Sequence, residues 1–312
     1  MILSEIITSF VDHRHAIGMR FRTEARTLKS FCRFVGDRPL PEVTSDLVLA
    51  FLCGHGPVTR FWERKHSVLA GFYRFAMARG HIDRWPLPRT VPKPRMAFAP
   101  YIYSRDEIGR LLDAVIVIDH PRCSIDPDTY RTILVLLYGA GLRIGEALSL
   151  TLADADLEEG VLCVRESKFY KTRLVPISQD LVRILCGHVS RRRGGRSDPE
   201  SLLFLTRQSG PVTLQHAERM FCRLRVEANV VCTGAGRRHQ PRLHDLRHSF
   251  AVHRLIDWYR QGADVQRLLP KLSTYLGHVN ISGTQRYLTL TPDLLREASV
   301  RFEHYALEAP NA

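Results

Sequence analysis

Two arginines, two histidines, a lysine and a tyrosine in this chain could together transfer a phosphoryl group. They occur in four short segments: "GLRIGEALSL", "SKFYKTRLVPI", "HDLRHSFA" and "YLGHVNISGTQRYL". Transfer at a phosphodiester places negative charge on the non-bridging oxygens, and the planar guanidinium groups of Arg143 and Arg247 suit that charge. No carboxylate cluster suited to Mg²⁺ accompanies them in the sequence, so the segments predict a metal-independent reaction and no cofactor is expected.

Tyr287 is the candidate nucleophile of this set. A tyrosine hydroxyl has a pKa of about 10, so it needs a base or a cationic pocket to attack phosphorus near neutral pH. His244 precedes Arg247 by three residues, and one helical turn would place both on the same face. We expect His244 to accept the tyrosine proton and His278 to donate to the phosphate. Lys168, in a hairpin turn, is expected to protonate the leaving 5′ oxygen.

Each segment taken singly is more often structural than catalytic. An arginine at a helix start usually pairs with a neighbour such as Glu146, a lysine in a hairpin turn is usually solvated, and a single histidine is usually hydrogen-bonded. His248 directly follows Arg247, so on a helix it is expected to point elsewhere, in a packing or orienting role. The hypothesis therefore depends on all four segments occurring together.

Helices and one hairpin must position these residues. Residues 130–150 predict a buried helix, a glycine-marked turn and a short helix, with Arg143 just after the turn. Residues 161–177 predict two strands joined by a polar turn at 167–171, and "LLFLTRQSGPVT" predicts a further strand and turn. Helical patterns resume from about residue 213. The fold class is therefore mainly α with a small β-sheet.

The first hundred residues predict a basic, all-helical bundle. Apolar residues recur at helical spacing in 21–35 and in 61–79, where Phe61 belongs to the predicted stripe, and Gly36 follows the first helix as its cap. This part holds 16 Lys and Arg against 8 Asp and Glu. Its cations are expected to lie off the apolar stripes and to contact DNA phosphates. The candidate DNA-binding residues are Arg64, Lys65 and Arg74.

Composition narrows the class of protein. The chain has 312 residues, a net charge of +13 and 45% hydrophobic residues, which indicates a globular protein with a polyanionic partner. No apolar run is long enough to cross a bilayer, so a cytoplasmic, nucleoid-associated location is expected, with no membrane partner. The seven cysteines form no CxxC pair, and we expect them to be small buried hydrophobic residues in a reducing compartment.

The four segments in this order resemble the tyrosine recombinase, or phage integrase, family, which includes the Xer-type recombinases. That family is marked by "TGLR-x-x-E", a hairpin lysine, "H-x-L-R", "LGH" and a following tyrosine. The chain departs from it at Ala140 and Gly145, where threonine and serine are usual, and neither position supplies chemistry. The resemblance implies six catalytic residues: Arg143, Lys168, His244, Arg247, His278 and Tyr287.

The resemblance also implies the domains, the reaction and the partners. A helical, SAM-like core-binding domain (1–88), a proline-rich linker (89–100) and a mixed α/β catalytic domain with a C-terminal helix (101–312) are expected. The reaction would join Tyr287 to a DNA 3′ phosphate, for integration, excision or resolution of DNA, with a mobile element as the expected source. The expected partners are a double-stranded recombination site, other copies of the chain in a tetramer on DNA, and a partner recombinase or an accessory DNA-bending protein.

Two other readings stay open at this point. One is a type IB topoisomerase, which has a similar set of residues and relaxes supercoils. The other is a DNA-binding protein that keeps the scaffold without catalysis. The sequence also leaves open the target DNA and whether Tyr287 acts in its own subunit or in a neighbour's.

Overall fold

The computed structural model separates the chain into two compact units, Met1–Phe98 and Ala99–Ala312. The predicted linker, residues 89–100, spans the point of division. The structure describes residues 1–54, 58–92, 100–117, 119–120, 123–165, 172–191, 198–232, 240–289 and 294–300. Within these stretches no helix combines the length and the apolar character needed to cross a membrane.

The described part of the first unit contains four α-helices around one apolar core. Thr44 and Thr59 begin the third and fourth helices by accepting hydrogen bonds from backbone N–H groups of the first turn. Gly36 ends the second helix with a φ of 82°, as the sequence predicts. Phe10, Phe31, Leu69, Phe72 and Tyr73 are fully or almost fully buried where the helices meet. The helices are α1 (Leu3–Ala16), α2 (Arg22–Val35), α3 (Ser45–Cys53) and α4 (Arg60–Ala78).

Helix α4 differs from its predicted faces at two positions. Phe61 is 57% exposed, and the adjacent Trp62 is buried in its place. The rest of the predicted stripe, Val68, Leu69, Phe72 and Ala76, is buried, so the difference is confined to the first turn of the helix. Lys65 is half-buried: its Nζ donates to the carbonyl oxygen of Phe51 at 2.6 Å and lies over the rings of Phe51 and Phe61. Lys65 is therefore a poor candidate for a phosphate contact, whereas Arg64 and Arg74 are exposed.

The described part of the second unit is mainly helical with a three-stranded antiparallel sheet. The predicted strand pair is confirmed by the pairing of Leu162 with Val175. In "LLFLTRQSGPVT" the structure shows isolated bridges, from Leu202 to Thr151 and from Leu205 to Pro211, instead of the predicted strand. The elements are α5 (Arg105–Asp113), α6 (Pro127–Gly139), α7 (Ile144–Leu148), β1 (Ala155–Asp156), β2 (Val161–Val164), β3 (Arg173–Pro176), α8 (Gln179–Arg191), α9 (Leu214–Glu227), α10 (Asp245–Arg260), α11 (Val265–Leu276) and α12 (Ser282–Gln285).

Two apolar clusters hold this unit together. The larger one joins α5, α6, α8 and α9 to the sheet. The smaller one is built on α10 and α11, and it also contains Tyr287 and Leu294. Leu294 belongs to a helical stretch, residues 294–300, whose Glu297 pairs with Arg260 at 2.8 Å. The described part of the C-terminal helix thus packs on its own chain.

The cysteines are all free, as their spacing predicts, but the expectation that they are buried is wrong. All seven lie within the described stretches, and Cys53, Cys186 and Cys222 are exposed while the other four are partly exposed. Cys186 and Cys222 directly follow the buried Leu185 and Phe221. One step along a helix turns a side chain away from the core, which places these thiols at the surface.

Candidate active site

Arg143 begins helix α7 directly after a tight turn. Gly141 makes that turn with a φ of 59°, a left-handed conformation that suits glycine. Glu146, one turn into α7, accepts from the backbone N–H of Arg143 at 3.0 Å and from its Nη1 at 2.6 Å. The Nη2 of Arg143 donates to the carbonyl oxygen of Gly277 at 3.0 Å. The predicted ion pair with Glu146 is therefore present, and it aims the guanidinium toward the end of α11.

Arg247 lies in the first turn of α10 and is 2% exposed. Its Nη1 donates to the carbonyl oxygen of Gly141 at 2.7 Å, and its Nη2 donates to the carbonyl oxygen of Leu276. Burial and the nearby Arg143 lower the pKa of Arg247 to about 10, so the guanidinium stays charged at neutral pH. The two arginines thus converge on the same two chain segments, the turn before α7 and the end of α11.

A third arginine, which the sequence reasoning did not single out, completes this network. Arg173, the first residue of β3, donates through Nη1 and Nη2 to the two carboxylate oxygens of Glu146 at 3.1 and 2.8 Å, and through Nε to the carbonyl oxygen of Tyr275 at 2.9 Å. Burial would raise the pKa of Glu146, but the bonds and charges of Arg173 and Arg143 lower it to about 2. Glu146 is therefore an ionised anchor for both arginines. The signal in the sequence was a charged residue at the start of an apolar strand.

Tyr287 lies near Arg143 and Arg247 of the same chain and beside two histidines. Its hydroxyl is 3.0 Å from Nδ1 of His248, and its ring centre is 6.0 Å from that of His278. Burial raises its pKa, while the charges of Arg247 and Arg143 and a hydrogen bond from Arg247 lower it. The expectation that His248 points elsewhere is wrong, because the turn that buries Tyr287 brings its hydroxyl onto that ring.

The segment that carries Tyr287 folds into a short helix and a helical turn. Helix α12 is followed by a 3₁₀ turn, Arg286–Thr289, and Tyr287 is 3% exposed. Thr284 is fully buried, and its Oγ1 lies 2.7 Å from Nδ1 of His278. The buried side chains of Thr284 and Tyr287, which follow Gly283, anchor this stretch to the rest of the unit.

The histidines of the site are neutral bases at pH 7. Burial, followed by the charges of Arg247 and Arg143, lowers the pKa of His278 to about 4. Burial and Arg247 also lower the pKa of His244, the residue just before α10. His244 makes an edge-to-face contact with His248, with ring centres 4.9 Å apart. A neutral imidazole can accept a proton, which is the role that phosphoryl transfer would require here.

The structure brings five of the six predicted catalytic residues together. Lys168 lies outside the described residues, as do the other residues of the predicted turn at 167–171. Within the described part of the chain, no group of three or more His, Cys, Asp or Glu side chains could hold a metal ion. The five residues provide two guanidinium groups, two neutral imidazoles and a tyrosine hydroxyl. This set of groups suits attack on a phosphate ester.

Similarities to known proteins agree with this chemistry. Residues 104–293 match the phage integrase family. The integrase/recombinase y4rB of Sinorhizobium fredii is 34% identical, with 96% of each chain covered. Tyrosine recombinase XerA of Pyrococcus furiosus is 32% identical and covers 96% of this chain and 94% of its own.

Solved structures share the fold. A lambda integrase tetramer bound to a Holliday junction superposes with a TM-score of 0.69 at 19% identity, covering 92% of this chain and 77% of that one. The Tn1549 transposon integrase in complex with a circular intermediate DNA gives a TM-score of 0.68 at 18% identity, covering 95% of this chain and 99% of that one. The family match, the full-length relatives and the clustered side chains together show that the chain belongs to the phage integrase family and is a tyrosine-type site-specific DNA recombinase.

Proposed function

We propose that this protein cleaves and rejoins DNA through a 3′-phosphotyrosyl intermediate on Tyr287. The observation that carries the proposal is the contact of the Tyr287 hydroxyl with His248, within reach of the charges of Arg247 and Arg143. The hydroxyl oxygen would attack phosphorus, and the 5′ oxygen would leave as a hydroxyl. Because the phosphotyrosyl bond keeps the energy of the broken bond, another 5′ hydroxyl can reverse the step without ATP.

Each side chain has a proposed role in that step. Arg143 and Arg247 bind the non-bridging oxygens, since guanidinium groups bind phosphate through two parallel hydrogen bonds. His278, held by Thr284, donates to the phosphate. Lys168 protonates the 5′ oxygen, a role that is carried over from the family resemblance. Tyr287 acts within its own subunit, because its neighbours in the cluster belong to the same chain.

The proposed biological role is integration or excision of a mobile element. Two similar proteins support this role. The Sinorhizobium fredii relative is described as an integrase/recombinase, and the Tn1549 protein, which shares the fold, is a transposon integrase. Lambda integrase, which shares the fold, has been solved as a tetramer bound to a Holliday junction, so we propose a tetramer on DNA here as well. In this proposal the exposed arginines of the helical first unit bind DNA phosphates, and residues 101–312 carry out the cleavage.

The proposal is tested by recombination between two sites. Genomic fragments that the purified protein retains would be cloned as direct repeats flanking a marker, and marker loss would be scored by PCR. We expect the wild-type protein to excise the marker and Tyr287→Phe to leave it in place. Relaxation of supercoiled plasmids that lack such a fragment, without any excision, would instead favour a type IB topoisomerase.

A further inference from the structure

We propose that His248, rather than His244, accepts the hydroxyl proton of Tyr287 during strand cleavage. The inference rests on the proposed function, in which Tyr287 is the nucleophile. As the bond from Tyr287 Oη to phosphorus forms, the proton moves from Oη to Nδ1 of His248. The bond from phosphorus to the 5′ oxygen breaks, and that oxygen takes a proton from the general acid. In rejoining, His248 returns the proton to Oη.

The hydrogen-bonding groups at the tyrosine hydroxyl determine the direction of this transfer. The hydroxyl oxygen lies 3.0 Å from Nδ1 of His248, and the charge of Arg247 acts on the same oxygen. A guanidinium cannot accept a hydrogen bond, so the hydrogen of the hydroxyl is expected to point to His248 while the oxygen lone pairs face the positive charge. This arrangement places the ring hydrogen of His248 on Nε2 and leaves Nδ1 as the acceptor.

The other two histidines near Tyr287, His278 and His244, make contacts that do not involve the tyrosine hydroxyl. Nδ1 of His278 is engaged with Oγ1 of Thr284 at 2.7 Å. His244 touches His248 edge to face, so it can orient that ring. Within the described residues, the ring nitrogen that meets the Tyr287 hydroxyl is that of His248. Because Tyr287 is 3% exposed, bulk water is a poor alternative acceptor for its proton.

The surroundings of His248 keep it neutral until the phosphate arrives. Burial, and then the charges of its neighbours, lower its pKa to about 3. A folded-state pKa below the ordinary value means that the ring is uncharged throughout the neutral range, with a free lone pair. A DNA phosphate bound to Arg247 would cancel part of the positive charge and raise that pKa, which would make His248 a stronger base when the substrate is bound. The groups that face it are His244, Arg247 and Arg242 from α10 and the residues before it, His278 from the end of α11, and Tyr287.

The test separates proton acceptance from positioning. His248→Asn keeps an oxygen near the place of Nδ1 that accepts a hydrogen bond but is not basic. The measurement is single-turnover cleavage of a nicked, saturating DNA site, with pH varied from about 6 to 9. We expect the rate at pH 7 to fall by about 100-fold and then to rise with pH by up to about tenfold per unit, as hydroxide replaces the lost base. The wild-type rate should rise much less.

A second substrate locates the defect. A site whose leaving 5′ oxygen is replaced by sulfur needs no general acid, because a thiolate leaves without a proton. The His248→Asn defect should persist with this substrate. Full recovery on the sulfur substrate, or a reduced rate with the pH slope of the wild type, would overturn the inference. His248→Ala serves as the second variant if His248→Asn does not fold, and the same steep pH slope is expected of it.

Failure of the inference and failure of the proposed function give different results. If Tyr287→Phe forms a covalent adduct with the same DNA, Tyr287 is not the nucleophile and the proposed function is wrong. If Tyr287→Phe forms none while His248→Asn cleaves within about threefold of wild type, the proposed function stands and the role of His248 is wrong.

Discussion

At the scale of single residues, the two arginines proposed to bind the phosphate differ in how many of their hydrogen-bonding groups are used within the protein. Arg247 has 3% of its side chain exposed and is tied to two main-chain carbonyl oxygens. Arg143 keeps 27% exposure, with one bond to Glu146 and one to Gly277. We therefore expect an incoming phosphate to meet Arg143 first, with the buried charge of Arg247 behind it.

Arg143→Gln should reduce cleavage far more than stability. The amide cannot form two parallel charged bonds to a phosphate, so we expect the single-turnover cleavage rate to fall by about 100- to 1000-fold. The matched control is Arg105→Gln, because Arg105 pairs with Asp257 on an exposed surface at 2.8 Å. Quenched-flow cleavage and thermal unfolding of both variants would check this. Equal rates for the two variants would contradict the role of Arg143.

Glu146 should make folding sensitive to acid. Its folded-state pKa of about 2 lies below the ordinary value of 4.5, so its contribution is present above pH 4.5 and is lost as pH falls toward 2. The difference corresponds to at most about 3 kcal/mol of unfolding free energy. Denaturant titrations at several pH values should show a smaller loss for Glu146→Gln than for wild type over this window. Parallel pH curves would show that Glu146 is not held ionised by the arginines.

At the scale of elements, one turn and one strand hold the arginines in place. The turn at Gly141 supplies a carbonyl oxygen to Arg247 and leads directly into α7. A Cβ at Gly141 would lie 2.4 Å from the ring of Phe250. Strand β3 supplies Arg173, which packs against Gly277 at the end of α11, where a Cβ would lie 2.9 Å from the guanidinium. Glycine at these two positions lets the segments approach closely enough to share the arginine bonds.

A pair of glycine variants tests the turn. Gly141→Ala should destabilise the fold by about 2 kcal/mol or more, because it combines a left-handed backbone with a steric overlap. Gly145→Ala should be neutral or slightly stabilising, because a Cβ there meets open space and alanine favours helix. Both lie in "AGLRIGE", so chemical denaturation of the two variants is a matched comparison. A neutral Gly141→Ala would contradict the described packing.

Sequence reasoning predicted the elements better than the contacts between them. The helices at α2, α4 and α6 and the strand pair β2–β3 follow from local periodicity, and the structure confirms them. Arg173 and His248 were missed or misplaced because their partners, Glu146 and Tyr287, lie 27 and 39 residues away in sequence. Neither a two-residue strand period nor a helical turn contains such distant contacts. The same limit explains Tyr287, whose burial depends on α10 and α11.

At the scale of the whole molecule, most of the excess positive charge lies in the first hundred residues, apart from the proposed catalytic residues. The first hundred residues hold 16 Lys and Arg against 8 Asp and Glu, yet all the proposed catalytic residues belong to the second unit. This division suggests that one unit supplies affinity through phosphate contacts and that the other supplies chemistry. Exposed arginines such as Arg64 and Arg74 on α4 are the candidates for the first task.

The salt dependence of DNA binding tests this division. Arg64→Gln and Arg74→Gln should each weaken binding and reduce the slope of log affinity against log salt by about 0.9, as expected for one lost phosphate contact. Lys65→Met is the control, because its ammonium is engaged with the carbonyl oxygen of Phe51. Fluorescence anisotropy on one DNA duplex at several salt concentrations gives the slopes. A slope that changes for Lys65→Met but not for Arg64→Gln and Arg74→Gln would reverse the assignment.

The central claim is that Tyr287 forms a covalent bond to a DNA 3′ phosphate. The most direct measurement uses a nicked DNA site whose cleaved strand loses a short 5′-hydroxyl fragment, so that the intermediate accumulates. After denaturation and digestion, mass spectrometry of the peptide that carries the nucleotide identifies the attachment point. The account predicts a 3′-phosphotyrosyl link at Tyr287 and none in Tyr287→Phe. A link at another residue, a 5′-phosphate link, or an adduct formed by Tyr287→Phe would contradict it.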